Sequence, residues 1–228
     1  MSTAPELLAP PPTSAWHMYR ALVGVGLVCG LLVVSVFVGT GPRIQRNKSA
    51  AVEQAVLHVL PGSRTIRSFR WRDAAGFQRL ENTATGDDIV HAGYDAGGQL
   101  VGVAVEARGL GYQDVIRVLY GYAPRRNAIV GLRVLESRDT PGLGDRIERD
   151  PAFLRNFAAL DVSLTPDGSA LAHPIEAVKP GAKTSAWQID TITGATISSS
   201  AVATMVGRSA ALWIPRIRRA LPTFEATE

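Results

Sequence analysis

After a polar, Pro-rich start, the chain runs apolar and uncharged from Leu22 to Gly39, "LVGVGLVCGLLVVSVFVG". These 18 residues, at ~1.5 Å rise each, reach ~27 Å as a helix, the thickness of a bilayer's hydrocarbon core with slight extension at the ends. A secretory signal peptide is the competing reading, because Gly39-Thr40-Gly41 offers a small-residue cleavage site. Signal cores run to about 15 residues, so the length favours an uncleaved anchor. Val28 before Cys29 also fits a lipoprotein cleavage box poorly.

Beyond the anchor, Val52, Val56, Val59 and Leu60 recur at helical spacing, and Pro61-Gly62 stops that helix. Residues 63–86 are basic and poorly periodic. From Ile89 the period becomes two. "IVHAGYDAGGQLVGVAVEA" reads as a strand, a Gly97-Gly98 turn and a second strand with Val101, Val103 and Val105 on one face. "VIRVLYGYAPRRNAIVGLRVLES" repeats the plan, with strands near 115–122 and 128–136. A Gly-containing loop then leads to a short helix near 151–158, and a polar section covers 161–186. A last helix spans about 198–212, capped by Ser198 or Ser199 and ended or kinked by Pro215. The pattern predicts an α+β protein: residues 1–20 disordered, 21–40 a transmembrane anchor, 41–88 a linker with a helical and basic section, 89–215 one domain of antiparallel hairpins with flanking helices, and 216–228 a tail.

Composition narrows the function. The chain has 228 residues, 46% hydrophobic and 19% charged, room for one domain with a core beside the anchor. The net charge is +4, but Lys and Arg are spread along the chain without interleaved aromatics. That speaks against nucleic acid and for a basic surface near a membrane. Arg43, Arg46 and Lys48 follow the apolar run while Arg20 precedes it, so flanking charge alone places the large C-terminal part in the cytoplasm.

The single Cys29 excludes an internal disulfide or a CxxC centre. The four histidines, His17, His58, His91 and His173, form no zinc-type pair. Neither a GxSxG elbow nor a Walker loop occurs, so hydrolase and nucleotide-triphosphatase chemistry lack support.

Two stretches remain. In "DTPGLGDRI" (139–147), Pro141 fixes φ while Gly142 and Gly144 permit positive φ and let a flat ligand approach the backbone. Alone, the stretch reads first as a plain loop between a strand and a helix. In "DTITGATISSS" (190–200), Thr193, Gly194, Ala195 and Thr196 sit just before a helix whose free amides favour an anion such as phosphate. Asp190 stands six residues before Thr196, placed to orient a hydroxyl or dock a modifying enzyme. Composition alone leaves a Ser/Thr-rich capping segment as the leading reading.

Taken together, "TGATISSSAV", "DTPGLGDRI" about fifty residues earlier, "VLPG" at 59–62, "EAVKPG" at 176–181 and the N-terminal anchor resemble the G subunit of Rnf-type electron-transport complexes. The C subunit of the sodium-pumping NADH:quinone oxidoreductase shares the plan. The resemblance covers most of the chain after residue 50.

It implies an FMN-binding domain with FMN joined through its phosphate to Thr196, the last Thr of the motif. A flavin transferase would install it from FAD with magnesium and release AMP. Thr140, Pro141, Gly142, Leu143 and Gly144 would lie against the ring or ribityl chain, with Leu143 as the apolar ring contact and Lys179 near the polar edge. The family commonly carries Glu before TPGLG, where this chain has Asp139, one methylene shorter. A His frequent just upstream is replaced here by Ser137-Arg138.

The implied role is electron relay among other membrane and iron–sulfur subunits of an ion-translocating ferredoxin/NAD oxidoreductase. The domain would then face the extracytoplasmic side of a bacterial inner membrane, against the flanking charge. Two other readings stand beside it: a stand-alone tethered flavoprotein with another acceptor, and a non-redox envelope binding protein.

Overall fold

The computed structural model describes residues 15–81, 83–84, 86–140, 142 and 144–226; of residue 45 only the backbone is described. The expected disorder of residues 1–20 therefore lies largely outside the described residues. Two compact units divide between Asn47 and Lys48.

The first unit consists, among described residues, of helix α1 (Ala15–Val59) up to that division. Its apolar side chains, among them Leu22, Val25, Leu32 and Phe37, are exposed all round, as a lipid-facing helix requires. It is long and apolar enough to cross a membrane. The helix continues through Pro42 and on to Val59, so the separate helix expected over 51–60 is the end of the first one.

The second unit is built on a seven-stranded antiparallel sheet in the order β2-β1-β3-β4-β5-β6-β7. The strands are β1 (Thr65–Arg72), β2 (Gly76–Leu80), β3 (Ile89–Tyr94), β4 (Leu100–Leu110), β5 (Val115–Ala123), β6 (Ala128–Glu136) and β7 (Leu160–Asp161). Alternation along β4 sends Val103, Val105 and Ala107 into one core and Ala104 into another on the opposite face. The larger core lies beneath α4 (Thr196–Arg219) and the short α5 (Leu221–Glu225). The smaller holds Val52, Val56 and Val59 from the end of α1, and Leu60 just after it, against Ala104 and Leu119. The unit is thus three layers, helix on sheet on helix.

The end of α1 seats in a notch made by strand glycines. A Cβ on Gly121 would lie 2.2 Å from the Val59 carbonyl oxygen, and one on Gly131, its cross-strand partner, 2.8 Å from the same atom. Any side chain at either position would lift the helix off the sheet.

Two expected boundaries need correction. The section 41–88 is not a linker, because β1 and β2 form a hairpin continuous with the main sheet. Its periodicity is hidden by chemistry: Phe69 and Trp71 face the large core, while Arg67 on the same side lies over the Tyr94 ring, 4.8 Å from its centroid. Nor is 216–228 a tail. Helix α4 passes through the buried Pro215 to Arg219, held by Ile214 and Ile217 against the sheet, and Phe224 packs 4.9 Å from both Phe69 and Phe77. Packing here outweighs the hydrogen bond that proline removes.

Between β6 and α4 lie α2 (Arg146–Arg149), α3 (Pro151–Arg155) and a two-stranded parallel ribbon of β8 (Glu176–Val178) and β9 (Gln188–Asp190). The ribbon falls at the edge of the stretch expected as a polar section. Helix α3 is shorter than the expected 151–158 and is capped by Asp150, whose carboxylate accepts from the amides of Ala152 and Phe153 at 2.9 and 3.3 Å.

Candidate functional site

The site forms where the loop after β6, the β4–β5 turn and the start of α4 meet. Asp139 is the junction. It is buried, and its carboxylate accepts from the hydroxyl of Ser198 at 2.5 Å and from the amides of Gln113 and Tyr112 at 2.9 and 3.4 Å. Burial pushes this carboxyl up, but the bonds from Ser198 and from the amides of Gln113, Tyr112 and Asp114 outweigh it and hold the group below its ordinary range. Two glycines make room for it. A Cβ on Gly144 would lie 2.3 Å from that of Asp139, and one on Gly111 would lie 2.9 Å from its Oδ2.

The DTPGLGD loop closes on itself. The amide of Gly142, at φ +82°, donates to Asp145 at 2.7 Å, and that of Gly144 donates to the Thr140 carbonyl at 3.0 Å. Pro141 and Leu143 lie outside the described residues. Arg146, next in the chain, reaches across to donate to the Thr193 carbonyl at 2.6 Å.

Thr193–Thr196 make a tight turn into α4. The amide of Ala195 donates to the Ile192 carbonyl at 3.0 Å, Gly194 supplies φ +82°, and the Thr196 hydroxyl donates to the same Ile192 carbonyl at 3.2 Å. Ser199 fastens the turn from within the helix: its hydroxyl accepts from the Ile192 amide at 3.1 Å and donates to the Ala195 carbonyl at 2.8 Å. The helix therefore starts at Thr196 with Ala195 as N-cap and no side-chain cap. The expected caps, Ser198 and Ser199, are buried inside the first turn, committed to Asp139 and to the turn itself.

Tyr112, Gly144, Gly194, Ala195, Thr196 and Ile197, with Ser198 beneath, line a cleft of about 310 Å³. The two glycine-bearing stretches thus share one hollow, with the exposed Thr196 at its lip. A larger groove of about 490 Å³ runs between the end of β4 and α4, past Arg108, Leu110, Met205 and Arg208, but neither stretch contributes to it.

The other expected site residues separate. Thr193 and Asp190 line a different hollow, of about 270 Å³, together with Arg146. The Asp190 carboxylate accepts from the Lys183 amide at 3.1 Å, and Asn156 bonds both the amide and the carbonyl of Asp190. Asp190 therefore fixes loops rather than a hydroxyl. Thr140 is half-buried and contributes its carbonyl, while Gly142 sits beside Asp145 and Arg146. Lys179 is exposed beyond β8, its carbonyl bonded to Ala182, and does not line the cleft. Arg146 and Ile197 fall inside the two stretches singled out in the sequence, but nothing there gives either a role, and no pattern pairs Asp139 with Ser198. For Tyr112 the only hint is the "GLGYQD" turn, an aromatic just after glycines.

Residues 111–211, which hold the cleft from Tyr112 into α4, match the family model described as FMN-binding domain. Over a longer stretch the chain is similar to proteins named as the G subunit of ion-translocating oxidoreductase complexes. That of Methanosarcina acetivorans is 28% identical over 189 residues, 79% of this chain and 85% of the relative. That of Haemophilus influenzae is 27% identical over 199 residues, 86% and 89% of the two chains. That of Pectobacterium atrosepticum is 35% identical over 135 residues, 58% and 59%.

Among solved structures, the fold is similar to Shewanella oneidensis NqrC, with a TM-score of 0.55 and 18% identity over 80% of this chain and 100% of that one. It is likewise similar to the C subunit of the Na(+)-translocating NADH-quinone reductase from Parabacteroides distasonis, with a TM-score of 0.56 and 18% identity over 82% and 96%.

Proposed function

We propose that this chain is the membrane-anchored, FMN-carrying subunit of an ion-translocating oxidoreductase complex, with FMN held covalently through its phosphate on Thr196. The observation that carries the reading is the position of Thr196. Thr196 is an exposed residue, its hydroxyl resting on the Ile192 carbonyl, at the start of a 24-residue helix that no side chain caps and at the lip of the cleft. The first amides of such a helix lack intrahelical acceptors, and with the helix dipole they favour a phosphate there. Gly144, Gly194 and Ala195 leave the backbone open to a flat ring, and Tyr112 and Ile197 offer apolar surface beside it.

Flavin supplies electron transfer, and the protein fixes its place and surroundings. The cleft is at the small end of the range for ligand pockets, so it encloses a ring system only in part and leaves an edge open for electron exchange. The chain's own residues form no cluster of metal-ligating groups among the described residues. In this reading its electron donor and acceptor are other subunits, including iron–sulfur ones. The domain lies on the extracytoplasmic side of the inner membrane, where covalent attachment prevents loss of a cofactor made in the cytoplasm. That placement runs against the cations following the apolar segment, a statistical bias that partner subunits can override.

The test is in-gel flavin fluorescence after full denaturation, from a host supplying the flavin transferase, beside Thr196→Ala. A fluorescent wild-type band and a dark variant are expected. Two dark bands beside a working control would overturn the covalent reading, and two fluorescent bands would move the attachment to another hydroxyl.

A further inference from the structure

Thr191, Thr193, Thr196, Ser198, Ser199 and Ser200 all carry hydroxyls within one short stretch, and a modifying enzyme has to choose among them. Burial removes three. Thr191, Ser198 and Ser199 are 7%, 1% and 0% exposed, each with its hydroxyl in a hydrogen bond. Ser200 is half-buried, a full turn into α4. Thr193 and Thr196 are both exposed, and burial cannot separate them.

The turn geometry does separate them. Thr193 lines the hollow of about 270 Å³ beside Arg146, while Thr196 lines the 310 Å³ cleft beside Tyr112. Arg146 holds this division. Its Nη1 donates to the Thr193 carbonyl, and a Cβ on Gly194 would lie 3.4 Å from that same nitrogen, so the guanidinium stands directly against the Thr193-Gly194 backbone. Arg146 is itself anchored. Asp145 before it ties back to the Gly142 amide, Ile147 after it is fully buried, and Asp150 lies 3.6 Å from Nη2. From the other side Ser199 grips Ile192, so the turn is pinned at both ends.

We propose that Arg146 is a specificity-determining positioning residue for cofactor attachment: it fixes the Thr193-Gly194 backbone so that Thr196, and not Thr193, is presented at the flavin cleft. This inference rests on the covalent reading above. In the step it serves, the Thr196 Oγ–P bond forms at the FMN-side phosphorus of FAD and the pyrophosphate P–O bond breaks. AMP leaves with that electron pair, and the hydroxyl proton passes to a base of the transferase or to water. Arg146 touches none of the reacting atoms. It acts through the backbone, and misplacing a nucleophile by about 1 Å costs ~100-fold in rate.

The experiment uses the full chain in detergent, purified flavin-free and incubated with flavin transferase, FAD and magnesium. Covalent flavin is followed in time, and the modified residue is mapped by peptide mass spectrometry. The wild-type chain is expected to label on Thr196 alone. Arg146→Ala is expected to label at least about tenfold more slowly, or to divide the label between Thr196 and Thr193, with little change in unfolding midpoint because the side chain is 44% exposed and its ion pair with Asp150 is screened by water. Arg146→Lys, which keeps a cationic donor, is expected to recover part of the rate. Arg146→Ala labelling on Thr196 alone at the wild-type rate would overturn the inference, as would slower labelling matched by loss of the folded state. A wild-type chain that never labels shows instead that the covalent reading itself has failed, and the inference falls with it.

Discussion

Ser198 donates its hydroxyl hydrogen to Asp139 across 59 residues of chain, at 2.5 Å and out of water. This bond ties the start of α4 to the loop after β6, the two stretches that share the cleft. A buried hydrogen bond to a charged acceptor contributes about 1.5–3 kcal/mol. Ser198→Ala should lower stability by that amount in urea unfolding of the full chain in detergent. Asp139→Asn should also lower stability, because an amide nitrogen in place of either oxygen faces a backbone N–H, of Gln113 or Tyr112, and the Ser198 bond loses its charged acceptor.

The same carboxylate sets a pH dependence. Its folded pKa is held below the ordinary value, so its contribution is fully present above the unfolded carboxylate range and is lost as pH falls through the folded value. In acid titrations of stability, Asp139→Asn should remove that low-pH loss from an already weaker protein.

His91 acts at a higher pH. Burial lowers its pKa from 6.5 to about 4, and its Nδ1 is 2.9 Å from the Ser68 hydroxyl. Between those values the unfolded chain binds a proton that the folded chain refuses, so stability falls as pH drops from about 6.5 toward 4 and then levels. The full effect is on the order of 3 kcal/mol. A His91→Gln chain should show a flatter curve across this window, measured by thermal unfolding at fixed ionic strength.

The glycines of the DTPGLGD loop should respond unequally. At Gly142 a Cβ meets open space, so Gly142→Ala bears only the strain of φ +82°, about 1 kcal/mol. At Gly144 the new Cβ would lie 2.3 Å from that of Asp139. Gly144→Ala should therefore lose more stability than Gly142→Ala and loosen the Asp139 junction, visible as faster hydrogen exchange at the Gln113 amide.

Gly121→Ala tests the notch under α1. Its Cβ would fall 2.2 Å from the Val59 carbonyl oxygen, a backbone atom that cannot swing aside. A loss of about 1–3 kcal/mol or more is expected, together with new proteolytic cleavage near residues 50–62 where the helix end lifts from the sheet.

The strands legible in the sequence, β3 to β6, are rich in β-branched and aromatic residues and separated by glycine and proline turns, so local chemistry announces them. Val101, expected beside Val103 and Val105, nevertheless packs on the smaller core. The hairpin β1–β2 is not announced in this way, because arginines occupy positions on both faces. Their aliphatic stems and ring contacts do the packing that apolar side chains do elsewhere. At the site, the residue types of the two glycine stretches point to a backbone-lined hollow, and the structure brings Gly144, Gly194, Ala195 and Thr196 together. What sequence cannot assign are partners set by long-range folding. Spacing alone makes Asp190 a companion of Thr196, yet it turns to Lys183, while Asp139, in sequence only a short substitute for Glu, is the junction. Ser198 and Ser199 belong to a residue type that favours caps, but buried partners claim them first.

The sheet ends on one side in the five-residue β2 and on the other in the two-residue β7. On the β2 side few backbone groups are left unpaired, and β2 carries Arg79 near its end, a poor template for strand addition, whereas β7 pairs with only Ala128 and Ile129 of β6. At the β2 edge the domain can therefore sit crowded among other proteins without its sheet recruiting theirs. On that side association is left to side-chain surfaces, which can release as well as bind, and the risk of edge-to-edge aggregation is kept low.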